Sequence, residues 1–256
     1  MGLPVKSPAQ VRSMRAAGLV VAETLAVLRE AVRPGVTPRD LDALAAREID
    51  ARGARPSFLG YHGYPATVCT SVNDVVVHGI PDDRPLADGD VISIDCGAVL
   101  DGWHGDAAIT VGVGRLAEPV RALVQACEDA LAAGIAVMTS AHRLSDIGAE
   151  VERTVRAAGP YGILTDFTGH GIGTAMHEPP FVPNHRTRRR GPRLEPGVVL
   201  AIEPMITLGS PDVSVELDEW TVRTDDGSWA AHVEHTVAVT PDGPWVLTAL
   251  DGGRAP

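Results

Sequence analysis

Leu86-Ala87-Asp88-Gly89-Asp90-Val91-Ile92-Ser93-Ile94-Asp95 and Leu194-Glu195-Pro196-Gly197-Val198-Val199-Leu200-Ala201-Ile202-Glu203 follow one pattern. In each, a leucine leads through a turn glycine into an apolar, strand-like run that ends on a carboxylate. The two carboxylates lie 108 residues apart, and a weaker match at 106 residues sets Asp40, Arg47 and Gly53 against Asp146, Arg153 and Gly159. A repeat of this kind predicts the order helix–helix–strand twice. A pseudo-twofold axis would then carry one carboxylate from each half to the middle of the molecule. The fold class expected is α+β, with duplicated helix-helix-strand halves around a central antiparallel sheet. The halves span about 7–113 and 117–246 of a single domain, 1–256.

Local punctuation supports the helices. Ser7-Pro8-Ala9-Gln10 reads as an N-cap, a proline in the first turn and a capping-box glutamine, followed by an apolar stripe of Val11, Met14, Val21, Leu25 and Leu28. Thr37-Pro38 opens a second helix with Leu41, Leu44, Ala45 and Ile49 on one face, closed by Gly53. Helical patterns return over 119–139 and 145–158, and strand-like runs cover 66–72, 75–78, 90–99, 104–113, 198–207 and 229–239. Asp101-Gly102 is a strong two-residue hairpin signal of type I′. With Leu100 opposite Trp103, Asp95 faces Ala108 and Gly97 faces Asp106. Asp95 and Asp106 then lie on one face as diagonal neighbours, within reach of a common cation.

Composition narrows the classes. The chain has 256 residues, 45% hydrophobic, enough for one large domain. A formal charge of -11 argues against coating DNA or an anionic membrane. Three cysteines without a C-x-x-C pair indicate neither a disulfide framework nor a zinc finger, and no apolar run is long enough to span a bilayer. The expectation is a cytoplasmic protein, monomeric by default. Lys6 is the only lysine. The one basic run, Arg186, Arg188, Arg189, Arg190 and Arg193, reads as a solvated loop whose functional rival is a transient ribosome contact.

Asp95 and Glu203 each end an apolar run, where an unpaired carboxylate is costly to bury. Cation binding removes that cost. With Asp106, Glu234 and one histidine, His170 between two glycines, four negative charges balance two divalent ions. Oxygen-rich ligation with one nitrogen suits Mn, Fe, Co or Zn. Two such ions a few ångströms apart activate water, which points to hydrolysis. His62 lies where it could line an entrance, whereas His104, His142, His185, His232 and His235 read as surface or structural.

His78-Gly79-Ile80-Pro81, the Asp95…Asp106 hairpin, Gly169-His170-Gly171-Ile172-Gly173 with His177-Glu178, Ile202-Glu203-Pro204-Met205 and Glu234-His235-Thr236 together resemble type I methionine aminopeptidases. The likeness runs from about Ser7 to Val246 and is to the short bacterial form. It implies the pita-bread fold, a curved sheet built by duplication, and a hydrolase that removes the initiator methionine when the second residue is small. Asp95, Asp106, His170, Glu203 and Glu234 are then the ligands of two divalent ions, and water activated between the ions attacks the scissile carbonyl. Glu203 also moves the proton, and His78 and His177 contact the substrate. Tyr61, Tyr64, Cys69, Met176 and Trp220 match the wall of the methionine pocket. Phe58 and Met176 depart from the usual residues there, an expected source of altered pocket shape. Gly2 makes the chain itself a candidate substrate. The rivals are an Xaa-Pro aminopeptidase or prolidase on a similar domain, and a metal-free binding module that reuses the fold.

Overall fold

In the computed structural model, residues 3–253 are described, so Gly2 lies outside the described residues. The first half of the chain forms α1 (Pro8–Ala31), α2 (Pro38–Ala51), β1 (Arg55–Pro56), a short 3-10 turn at Tyr61–Gly63, β2 (Val68–Val72), β3 (Val75–Val77), β4 (Val91–Leu100) and β5 (Trp103–Gly112). The second half forms α3 (Glu118–Ala136), α4 (Leu144–Ala158), β6 (Gly162–Ile163), β7 (Gly169–Gly171), β8 (Glu178–Val182), β9 (Val199–Ile202) and β10 (Met205–Thr207). It continues through β11 (Val213–Val215), β12 (Val222–Thr224), β13 (Ala230–His232), β14 (Glu234–Thr240) and β15 (Gly243–Val246).

Both predicted capping boxes form. Ser7 Oγ accepts from the Gln10 amide while Gln10 reaches back to the Ser7 amide, and Thr37 and Asp40 do the same for α2. The hairpin register is the one that the turn dictates. Leu100 pairs with Trp103, Gly97 with Asp106 and Asp95 with Ala108, and both Asp101 (φ 49°) and Gly102 (φ 79°) take the left-handed geometry of a I′ turn.

Antiparallel pairing builds the main sheet in the order β1-β4-β5-β14-β9-β7-β8, with β2 also on β4 and β15 also on β14. The order is symmetric about its centre: β4 flanks β5 on one side as β9 flanks β14 on the other. Alternation along the strands then separates two faces. Ile92, Ile94, Cys96 and Ala107 pack on Val21, Leu25, Leu41, Ala45 and Ile49 of α1 and α2. Leu200, Ile202, Val237 and Val239 pack on Leu123, Cys127, Ile147 and Val151 of α3 and α4. Each fully buried Ile or Leu side chain here contributes about 1.5–3 kcal/mol. The opposite face is left for Ser93, Asp95, Gly97, Asp106 and Ala108. The helix side also has one very close approach. A Cβ on Gly105 of β5 would stand 2.7 Å from the Gly18 nitrogen, so α1 rests on the sheet backbone itself.

Two runs that read as single strands are each broken in two. The run 198–207 leaves the main sheet at Glu203-Pro204, and β10 continues in a small sheet with β13 and β6. The run 229–239 breaks at Val233, between β13 and β14. The breaks face one another: Ile202 pairs with His235 on one side of them and Met205 with His232 on the other. Proline has no amide to donate to a ladder, which accounts for the first break. The short strands β7 and β8 are not apparent in the sequence, because GHG is only three residues, a histidine flanked by glycines, and EPPFV carries two prolines.

Candidate metal centre

Cross-strand register assembles the site. Cys69 pairs with Asp95, Asp95 with Ala108, and Ala108 with Glu234, so these four form one row across β2, β4, β5 and β14. The methyl group of Ala108 is short enough to leave space between the flanking carboxylates. Asp106 lies two residues along β5 on the same face. Glu203 follows β9, one residue beyond the Ile202–His235 pair and so beside Glu234, and His170 on β7 pairs with Ala201, two residues before Glu203. Asp95, Asp106, His170, Glu203 and Glu234 line a single cavity.

Its electrostatics suit cations. Burial pushes the Asp95 carboxyl up to about 7, against the Asp106 side chain beside it. Burial, then the neighbouring acids, pushes Asp106, Glu203 and Glu234 well above the carboxylate range. Asp95 Oδ1, Asp106 Oδ1 and Glu234 Oε1 are buried without any hydrogen-bond partner. Converging acceptors with no donor fit divalent cations. The imidazole fits as well. His170 Nδ1 meets the Gly171 carbonyl at 2.9 Å, so a neutral ring donating there turns an unprotonated Nε2 toward Asp106 Oδ2 at 3.8 Å and Glu203 Oε1 at 3.6 Å. Burial, then His177, pushes its pKa down to about 4, which keeps the ring available as a ligand at neutral pH. Ligand atoms of Asp106, His170 and Glu234 all lie within 4.8 Å of one another, as do those of Glu203, His232 and Glu234.

The rest of the cavity wall is apolar and aromatic: Phe58, Tyr61, Tyr64, Cys69, Met176 and Trp220, with His78 and His177 between wall and carboxylates. Tyr64 donates to the carbonyls of Gly79 (2.9 Å) and Val68 (3.2 Å), which fixes its ring edge-on to Trp220 and Phe58. Phe58 leans on Gly97, where any Cβ would come within 2.7 Å of its ring. His177 Nδ1 lies 2.8 Å from the Tyr61 hydroxyl, and its ring is 4.2 Å from that of His170. His78 holds a left-handed φ of 59°, a strained geometry for a residue with a side chain. Burial and then His177 push His78 down to about 4, and burial also lowers His177.

Of the remaining histidines, His62 is exposed against the Tyr61 ring and lies outside the cavity wall. His104 bonds Ser57 and His142 bonds Thr139, while His235 is half-buried against Thr248. His232 is the residue that the sequence reading undervalued. It is buried, with Nε2 3.8 Å from Glu203 Oε2. The available signal was its spacing of two from Glu234, which puts both on one strand face.

The sequence pattern of metallopeptidase family M24 matches residues 12–241. Methionine aminopeptidase 1 of Mycobacterium tuberculosis is 54% identical over 252 residues, covering 96% of this chain and 95% of that protein. Methionine aminopeptidase of Clostridium acetobutylicum is 46% identical, covering 96% and 99%. Among solved structures, methionine aminopeptidase from Rickettsia prowazekii superposes with a TM-score of 0.93 at 39% identity, covering 96% of this chain and 99% of that one. Matched over nearly its whole length by the family's sequence pattern and by these relatives, this chain belongs to metallopeptidase family M24.

Proposed function

We propose that this enzyme removes the N-terminal methionine from newly made proteins whose second residue is small. The observation that carries the reading is the cavity itself, in which four carboxylates and an imidazole adjoin a wall suited to a thioether. Asp95, Asp106, His170, Glu203 and Glu234 would hold two divalent ions drawn from Mn, Fe, Co or Zn. Such ions supply Lewis acidity, a lowered pKa for water and an anchor for the free α-amino group.

The protein's own groups do the rest. Glu203, flanked by His170 and His232, takes the proton of the attacking water and delivers it to the leaving nitrogen. With the Tyr61 hydroxyl donating to Nδ1, neutral His177 keeps its proton on Nε2 and can stabilise the oxyanion. His78 steadies the following amide. Phe58, Tyr61, Tyr64, Cys69, Met176 and Trp220 enclose the methionine side chain. The whole chain, in halves of about 7–113 and 117–246, serves as one catalytic domain.

No helix among the described residues is long and apolar enough to cross a membrane. We place the enzyme in the cytoplasm as a monomer. The exposed loop of Arg186, Arg188, Arg189 and Arg190 is available for transient ribosome contact.

The test offers Met-Ala-Ser and Ala-Pro peptides to protein loaded with each metal in turn. Methionine release from the first alone, greatly reduced in Glu203→Gln, is expected. Full activity in protein verified as metal-free would refute the reading, and cleavage confined to Ala-Pro would move it to an Xaa-Pro peptidase.

A further inference from the structure

We propose that His232 is a positioning residue for Glu203, donating its Nε2–H to Glu203 Oε2 and so directing Oε1 toward His170 and the cation site. This rests on the function proposed above and adds a residue to its machinery. Glu203 stands between two imidazoles, with Oε1 3.6 Å from His170 Nε2 and Oε2 3.8 Å from His232 Nε2. His232 Nε2 is buried and has no hydrogen-bond partner. A buried donor without an acceptor is rare, and here the near acceptor is the carboxylate that also takes part in the chemistry. His232 is not part of the cavity wall, so it reaches substrate only through Glu203.

The backbone holds the ring in this place. The His232 amide donates to Ser93 Oγ (3.2 Å) and Thr110 Oγ1 (3.1 Å), and the Thr110 hydroxyl donates to the His232 carbonyl at 2.6 Å. His232 also pairs with Met205, immediately beyond the break at Glu203-Pro204. The two strand breaks therefore have a chemical consequence. They turn Glu203 out of the ladder and set an imidazole from the facing strand behind it. A neutral imidazole has one N–H, so donation to Oε2 fixes the tautomer and leaves Oε1 for a cation. Partners of this kind, which orient a ligand without touching the metal, typically change metal affinity by 10–100-fold when removed.

The experiment titrates metal-free wild type, His232→Gln and His232→Leu with Mn2+ alone by calorimetry. Peptide kinetics on the loaded proteins and melting in chelator accompany it. Gln keeps an N–H donor at similar reach and Leu does not. Wild-type binding, a loss of about 10–100-fold in His232→Leu and recovery to within about 3-fold in His232→Gln are expected. In the kinetics, kcat should fall in the Leu variant with KM little changed. Chelated melting points should not separate Gln from Leu, as a merely structural role would. If His232→Leu does not fold, His232→Ala replaces it. Equal Mn2+ affinity in all proteins overturns the positioning role while leaving the aminopeptidase reading intact. Equal loss in Gln and Leu overturns donation in favour of direct ligation. A wild type that holds no Mn2+ overturns both.

Discussion

Lys6→Met is expected to destabilise the protein by about 3 kcal/mol and to impair catalysis, although Lys6 lies outside the cavity. Its Nζ pairs with Glu178 Oε2 at 2.8 Å, and the two side chains are only 8% and 18% exposed. Glu178 Oε1 accepts from the amides of Thr174 (3.0 Å) and Ala175 (3.3 Å), and so clamps the loop that carries Met176 and His177. Removing one partner of a buried pair leaves an uncompensated charge, at a cost of about 3–5 kcal/mol. The two amides still solvate Glu178, which places this pair at the lower end. For a chain of this size, about 3 kcal/mol lowers the melting point by roughly 6–12 °C. Lys6→Met with Glu178→Gln should recover much of the loss, because no charge is then stranded. The pH dependence has a definite sign. Burial works against the Glu178 carboxylate, but Lys6 and the two amides outweigh it and hold its pKa below the ordinary range. The contribution is therefore complete above the unfolded value of about 4.3 and disappears as pH falls through the lower folded value. Urea unfolding in chelator, from pH 3 to 7, measures it, and peptide kinetics at pH 7 should show kcat falling through the displaced His177 loop. A cost under about 0.5 kcal/mol, or one that does not shrink in acid, would refute the reasoning.

Gly18→Ala should destabilise by about 3 kcal/mol or more in urea unfolding, since the new Cβ would stand 2.2 Å from the Leu247 carbonyl oxygen and α1 would have to lift off the segment that follows β15. In chelator, stability relative to Asp95→Asn should decline as pH rises from about 4 to 7, because burial raises the Asp95 carboxyl to about 7 and the folded state resists losing that proton. Saturating Mn2+ should abolish that decline and add about 2.7 kcal/mol per site at a hundredfold excess over Kd; a chelated protein with flat stability across this range would count against the buried acid cluster. Phe58→Ala should open the pocket beside Gly97, raise KM for Met-Ala-Ser and admit bulkier first residues. Unchanged selectivity would show that Phe58 is ordinary packing.

The sequence by itself determined whatever is decided within a few residues of chain. Ser7-Gln10 and Thr37-Asp40 cap their helices with their own side chains. Asp101-Gly102 sets a register that places Asp95 and Asp106 on one face without help from the rest of the molecule. The apolar runs ending in Asp95 and Glu203 announced that carboxylates enter the interior. Tertiary structure decided what depends on partners distant along the chain. Nothing local to Val233 says that a strand breaks there; the break answers Glu203-Pro204 on the facing strand. Spacing alone sets His232 on the face of Glu234, but its partners are decided by the fold, because Ser93, Thr110 and Glu203 reach it from elsewhere in the sequence. Lys6 carries no local sign of burial, and its partner Glu178 lies 172 residues away. Caps and tight turns are fixed by short-range hydrogen bonds and backbone sterics. Burial and pairing of a charge are properties of the assembled neighbours, and these appear only when the sheet has brought both halves together.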